Sequence, residues 1–296
     1  MIRGGTLDSR ALVATTLTLA AGALALPACG GGGGEGTISP CGLPDPAPSY
    51  TLGDQATGCV ATADGSRADI FAFTIPATAA GGDAQFQIDD VAAGTVRATV
   101  YGPDGAMIGS PTAAAAGAPL VFHLAAAGGV TYRLAVEDGG SFAGPYTYRL
   151  TSTFAPVPDT FEPNDTPAEA TPIAIGAPVD AFLFAGEVAM TADGSAFDDY
   201  YQVTVTAAQA ATVRIDNVPT DVAARLFLYR ADQTEIARVA TGHRGEALLM
   251  QPPLALDPGT YLVRVALWAE VPAAVSAGAD PPDHFAHGYQ LTVSQP

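Results

Sequence analysis

The sequence contains no lysine. All twelve of its basic residues are arginine, and against thirty Asp and Glu they leave a formal net charge of −18. A surface of that sign repels phosphate backbones, so nucleic acid is excluded as a partner class. Charged residues make up only 14% of the chain and hydrophobic ones 48%, a balance that rules out wholesale disorder. Cysteine (three), histidine (four) and tryptophan (one) are scarce. No Gly-x-Ser-x-Gly elbow, phosphate-binding loop or His-Glu-x-x-His motif occurs, and no stretch sustains a helical period of apolar residues. A catalytic role is therefore not expected.

What the chain does have is glycine (33), proline (24) and runs rich in Ala, Thr and Val, the composition of short strands joined by tight turns. Its 296 residues exceed what one core usually fills, so two domains are expected. Self-similarity supplies them. The stretch at 64–75, "DGSRADIFAFTI", matches "DGSAFDDYYQVTV" at 193–205, and "TVRATVYGPDG" (95–105) matches "AARLFLYRADQ" (223–233). Further on, "GGVTYRLAV" (128–136) matches "PGTYLVRVA" (258–266), and "YTYRLTS" (146–152) matches "HGYQLTVS" (287–294). Order is kept throughout, which marks a tandem duplication. Within each copy apolar and polar residues alternate, as in Ile70, Ala72 and Thr74 against Phe71, Phe73 and Ile75. That is the pattern of sheets with one buried face. The predicted fold is all-β: two tandem antiparallel β-sandwiches of jelly-roll type, at 41–154 and 159–296, joined by a stiff Pro-rich linker at 155–158.

The N-terminus reads as an address. Arg3 and Arg10 precede an apolar run from Ala11 to Leu26, the length of a signal peptide's hydrophobic region and short for a membrane span. A signal peptide over 1–28 is expected, and export with it. The run closes on Leu26-Pro27-Ala28-Cys29, which resembles a bacterial lipobox with Cys29 as the lipidated mature N-terminus; ordinary cleavage just before Cys29 is the other route. By the sorting pattern of such lipoproteins, Gly30 in place of an Asp implies the outer membrane. Residues 29–40, "CGGGGGEGTISP", form a flexible tether. If Cys29 carries lipid, Cys41 and Cys59 remain as a pair in an oxidising compartment, where a disulfide over that loop stabilises by roughly 3 kcal/mol. The alternative is two buried free thiols.

The stretch "DTFEPNDTPAEATPI", 159–173, packs four acids, one Asn and three prolines into fifteen positions. A solvated linker, a cation site and an acidic strand all fit those residues. Calcium takes six to eight hard oxygens, more than one short peptide supplies, so a site should join two segments. Glu162, Asn164 and Asp165 offer side-chain oxygens within four residues, and Asp193, Asp198 and Asp199 cluster just before a strand. The first copy's equivalent, "PSYTLGDQATGC", offers only Asp54, with Asp64 and Asp69 following. No metal is expected there; a Cys41–Cys59 bond would clip that segment instead. His284 and His287 lie in "DPPDHFAHGY", where prolines argue against a chelating helix, so solvated loop histidines are expected. The loop from Trp268 to Tyr289 is far longer than its first-copy counterpart and reads either as a tolerated insertion or as a ligand-binding loop.

The order "EPNDT", then Asp199 followed by Tyr200 and Tyr201, then "LFLYRAD", "GTYLVRV" and "GYQLTV" resembles the bacterial pre-peptidase C-terminal domain, itself similar to the collagen-binding domains of clostridial collagenases. The resemblance covers 159–296 well and 41–154 less well. It implies β-sandwiches appended to secreted enzymes, often with calcium where the N-terminal segment meets the sandwich. It assigns Glu162, Asn164, Asp165 and Asp199 as ligands, with Asp198 or Asp193 in the place that Phe197 vacates. The expected protein is thus a calcium-stabilised binding module or spacer at the cell envelope, facing an extracellular polymer or an envelope protein; the alternatives are an accessory subunit of a separate secreted peptidase and, behind it, a secreted hydrolase.

If Cys29 carries the lipid anchor, Cys29→Ser moves the protein from the membrane to the soluble fraction, because a glycine tether has no affinity for lipid. Unchanged fractionation of parent and variant would end the anchoring assignment.

Overall fold

The computed structural model describes residues 49–60, 68–140, 142, 144–183, 198–267 and 275–296. The predicted signal peptide and tether, Cys29, Cys41, Asp64, Asp193 and Trp268 lie outside them. The described chain is almost entirely β. Its one helix there is α1 (Asp283–Ala286), and among the described residues no helix is long and apolar enough to cross a membrane.

The first sandwich has a front sheet in the order β1 (Ser49–Tyr50), β3 (Asp69–Thr74), β8 (Thr131–Asp138), β5 (Val96–Tyr101), β6 (Met107–Gly109). Its back sheet runs β19 (Val275–Ala277), β7 (Leu120–Ala127), β4 (Gly81–Asp89), β9 (Tyr146–Pro156), β2 (Gln55–Val60). The second sandwich repeats that plan. Its front sheet is β10 (Thr171–Ile173), β12 (Asp199–Val205), β18 (Gly259–Leu267), β14 (Ala224–Arg230), β15 (Glu235–Ala240). Its back sheet is β11 (Val179–Ala181), β20 (Tyr289–Ser294), β13 (Gln209–Asp216), β16 (Leu248–Leu249), with β17 (Leu254–Leu256) also on β13. Strand for strand, β3 answers to β12, β8 to β18, β4 to β13 and β9 to β20.

Pairing is antiparallel except at the same place in each copy, where β1 lies parallel to β3 and β10 parallel to β12. In each case the chain visits the opposite sheet, through β2 or β11, before it returns. Such a crossover delivers a parallel neighbour, which a tight hairpin cannot.

Period-two patterning fills both cores. Along β3, Asp69, Phe71 and Phe73 are buried while Ile70 and Thr74 are exposed. The first core is aromatic: Phe86 stacks on Phe122 at 5.1 Å and meets Phe73 edge-on at 4.9 Å, and Phe73 stacks on Tyr132 at 5.6 Å. The second is mainly aliphatic, with Val213, Ile215, Leu226, Val263, Val265 and Leu291 buried.

Two features depart from the sequence reading. Ala155 and Pro156, expected to begin a linker, continue β9 and pair with Asp83 and Gly82. The Val157 N–H then donates to Gly81 O at 3.0 Å while its side chain enters the second core, so the joint is part of both sandwiches. The long connection, for its part, returns to the first sandwich. Its strand β19 pairs antiparallel with β7, and Val275 joins the first core. Gly109 leaves the room for this, since a Cβ there would lie 2.5 Å from Val275 Cβ.

Phe86→Ala removes the ring that bridges Phe73 and Phe122, so the expected loss is about 3–5 kcal/mol. Chemical denaturation followed by far-UV circular dichroism measures it; a loss under about 1 kcal/mol would mean that the aromatic stack does not organise the first core.

Candidate functional site

The acidic stretch is fastened before it reaches β10. Asp159, buried, accepts hydrogen bonds from the backbone N–H groups of Phe161 (2.9 Å) and Phe182 (2.7 Å). Phe161 turns its ring edge-on to Tyr201 at 5.9 Å, and its carbonyl accepts from the Thr171 hydroxyl at 2.9 Å. The Asn164 carbonyl accepts from Tyr200 N–H at 2.8 Å, which stitches the segment onto the start of β12. The solvated-linker reading is thereby corrected: Asn164 is fully buried and Asp165 half-buried.

This packing sets Glu162, Asn164 and Asp165 against Asp198 and Asp199, which open β12. Asp199 is buried and accepts from the Tyr289 hydroxyl, which in turn sits 2.7 Å from the Tyr201 hydroxyl. Asp198 pairs with Arg264, whose guanidinium lies over the Phe227 ring at 5.0 Å. Among the described residues, Glu162, Asp165 and Asp199 have no such ion pair. Burial first, then Asp165 and Asp159, push Glu162 up to about 8. Burial first, then Glu169 and Asp198, push Asp165 up to about 6. Asp199 is held well above the usual carboxylate range, by burial and then by Glu162, with the Tyr289 hydrogen bond opposing. The two segments therefore act electrostatically on each other, and ionising them together is costly.

Two buried oxygens, Asp165 Oδ1 and Asp199 Oδ1, have no hydrogen-bond partner. The Asn164 amide can stand either way round. With its oxygen toward Glu162, two acceptors face each other; turned over, its NH2 donates to the Glu162 oxygens at 3.2 and 3.3 Å. Opposed acceptors and orphaned carboxylate oxygens are the condition that a hard cation relieves, so the donor set fits calcium chemistry. Among the described residues, no three His, Cys, Asp or Glu side chains already stand in a metal-holding arrangement.

The first sandwich solves the same local problem without an acid cluster. Asp69 opens β3 as Asp199 opens β12, and Tyr148 on β9 takes the place of Tyr289 on β20. Asp69 Oδ2 accepts from the Tyr148 hydroxyl at 2.8 Å and from Cys59 N–H at 2.8 Å. Strand β2 comes this close because Gly58 has no side chain: a Cβ there would lie 2.2 Å from the Tyr148 hydroxyl. Cys59 is buried beside that contact.

Of the predicted site residues, Glu162, Asn164, Asp165, Asp198 and Asp199 are brought together, and Asp193 lies outside the described residues. Sequence reasoning missed Asp159, the Arg264 counter-charge and the tyrosine pair. Tyr148 and Tyr289 were legible, since both stand in the matched "YTYRLTS" and "HGYQLTVS" stretches. The solvated-histidine reading is corrected for His284. It lies on α1, 2% exposed, with Nδ1 2.7 Å from Asp221 Oδ2, while the His287 side chain remains 71% exposed.

No family model and no curated protein matches the chain. Among solved structures, the pre-peptidase C-terminal domain of a Bacillus anthracis collagenase aligns with 42% of this chain and 93% of that one, at 15% identity and a TM-score of 0.28. Tripeptidyl peptidase 2 aligns with 83% of this chain and 24% of that one, at 12% identity and a TM-score of 0.24. A Clostridium perfringens structure of an M60 catalytic domain with two CBM51 domains aligns with 80% and 34%, at 6% identity and a TM-score of 0.22.

The raised carboxylates fix the sign of a pH effect. An acid whose folded-state pKa lies above its unfolded value holds a proton that the unfolded chain has released, so stability falls as pH rises between the two values. For Glu162 that window runs from 4.5 to about 8. In chelator, the melting temperature of the second sandwich should fall from pH 5 to pH 8, and Glu162→Gln should flatten the slope. An unchanged slope in the variant would remove Glu162 from the cluster.

Proposed function

We propose that the chain is an exported, non-catalytic tandem of β-sandwiches of the pre-peptidase C-terminal type. In this reading it is anchored through Cys29 at the outer membrane and acts as a calcium-stabilised binding module or spacer for an extracellular polymer or envelope protein. The observation that carries it is the meeting of Glu162, Asn164 and Asp165 with Asp198 and Asp199, two of whose oxygens are buried without a donor. Bound calcium would supply the positive charge that this cluster lacks. Glu162, Asn164, Asp165 and Asp199 would hold it, with Asp198 shared between the cluster and Arg264. The segment at 159–166 would then be pinned to β12 by charge as well as by the Asn164–Tyr200 bond. A second reading, an accessory subunit of a separately encoded secreted peptidase, uses the same site and differs only in partner. In the first sandwich we assign the corresponding clip to a Cys41–Cys59 disulfide, supported by the burial of Cys59 against Asp69.

Extracellular calcium modules bind with dissociation constants of roughly 0.1–1 mM, so about 1 mM calcium should stabilise the second sandwich by on the order of 0.4–1.4 kcal/mol. Residues 159–296 hold eighteen acids and six Arg, so plain screening also raises the melting temperature. Magnesium controls for it, having the same charge but a reluctance to shed water. Glu162→Ala should raise the metal-free melting temperature, by relieving repulsion, and lose the calcium-specific increment; Asp199→Asn should lose that increment too. Equal melting in calcium and magnesium would refute the calcium assignment.

Mass mapping of protein from its native compartment should find Cys41 joined to Cys59. Free thiols at both positions would refute the clip.

A further inference from the structure

The crossing strand β19 raises a question that the acid cluster does not answer: what holds three residues of the second sandwich's connection on the edge of the first. Val275 supplies an apolar anchor, and Gly278 N–H donates to Val121 O at 3.0 Å. The side-chain contribution comes from His123 on β7. It belongs to the face of the back sheet opposite Phe122 and Leu124, yet is 2% exposed. Its Nδ1 lies 2.8 and 3.0 Å from the two oxygens of Asp83, on the neighbouring strand β4. Its Nε2 has two candidate partners of opposite kind: the Ala279 carbonyl at 3.3 Å, an acceptor only, and the Gln85 amide nitrogen at 3.4 Å, a donor. The Gln85 orientation has its own support, since the Gln85 oxygen accepts from the Thr153 hydroxyl at 3.4 Å.

An imidazole nitrogen can serve one of these partners at a time. With Nδ1–H given to Asp83, a bare Nε2 accepts from Gln85 and leaves the Ala279 carbonyl unserved. A protonated Nε2 donates to Ala279 O and turns away from the Gln85 amide. We propose that His123 is a proton-operated latch between the two sandwiches, in which the doubly protonated ring holds the crossing strand through Ala279 and the singly protonated ring lets it go. Protonation and closure favour each other in this arrangement, so the strand is held more firmly in acid and more loosely near neutrality. Among the described residues, the charged group within hydrogen-bond reach of the ring is Asp83. Burial raises Asp83 above the usual carboxylate range and the His123 contact opposes that rise. On the elements packed against it, Ser276 sits opposite His123 in register and Asp280 is exposed one residue past Ala279. On α1, His284 is engaged with Asp221, and Asp283 with Thr220 and His287. None of this depends on calcium.

The test is hydrogen exchange by mass spectrometry on the full mature chain, following the peptide that contains 275–279, with rates corrected for the intrinsic pH dependence of exchange. Protection there should be about tenfold greater at pH 5 than at pH 8, the size of one charge-assisted hydrogen bond. His123→Gln should abolish the difference. Gln85→Leu, which removes the donor that serves the neutral ring, should shift the midpoint of the change to higher pH; it decides the matter alone if the histidine variant fails to fold. Equal protection at the two pH values, a difference that survives in His123→Gln, or an unmoved midpoint in Gln85→Leu would each overturn the latch.

Discussion

In both sandwiches the first long strand of the front sheet opens with a buried aspartate, and a tyrosine from the last strand of the back sheet donates its hydroxyl to it. The bonds Asp69–Tyr148 and Asp199–Tyr289 run from sheet to sheet across the core. A carboxylate in that position is expensive unless a further donor or a positive charge supports it beside the tyrosine. That demand governs the segment that precedes the strand. In the first copy the segment passes close enough, at Gly58, to offer the Cys59 amide. In the second the chain leaving the matching strand, β11, gives its Phe182 amide to Asp159 instead, and the segment at 159–166 brings Glu162, Asn164 and Asp165, which are acceptors themselves. The acids thus compound the problem they adjoin: the first copy answers it with backbone, and in the second Glu162 and Asp165 are left raised above the usual carboxylate range.

The sheets were legible because their signal is local. Alternation along β3 and β12 and the order of matched stretches belong to neighbouring residues, and period two converts directly into a buried face. Joining Glu162, Asn164 and Asp165 to Asp198 and Asp199 was also legible, through the family resemblance and the coordination demand of calcium. Hidden from the sequence were the groups set by long-range register. Arg264 neutralises Asp198 because β18 pairs with β12 so that Tyr200 lies opposite Arg264, and no spacing announces that. His284 looked like a loop residue because its partner Asp221 is sixty-three positions earlier.

The prolines at 155–158 misled for a related reason. Proline marks chain that cannot sit inside a sheet, but Pro156 ends β9 and so interrupts no ladder. The long connection misled in the other direction. Its composition is that of a surface loop, and its strand exists only because the edge of β7 offers unpaired backbone to a passing segment.

The built-in joint has a mechanical meaning. Tension applied between the N-terminal end of the first sandwich and the C-terminal end of the second reaches the junction by two routes: along the continuous backbone from β9 into the Asp159 clip, and across β19 into β7. The routes share the load, so neither the Gly81–Val157 bond nor the β19 ladder can open alone without the other taking up strain. A tandem hinged on a free linker would transmit force only after the slack was drawn out. This one, tied by two routes, has no slack to draw out before a pull at one end reaches the other.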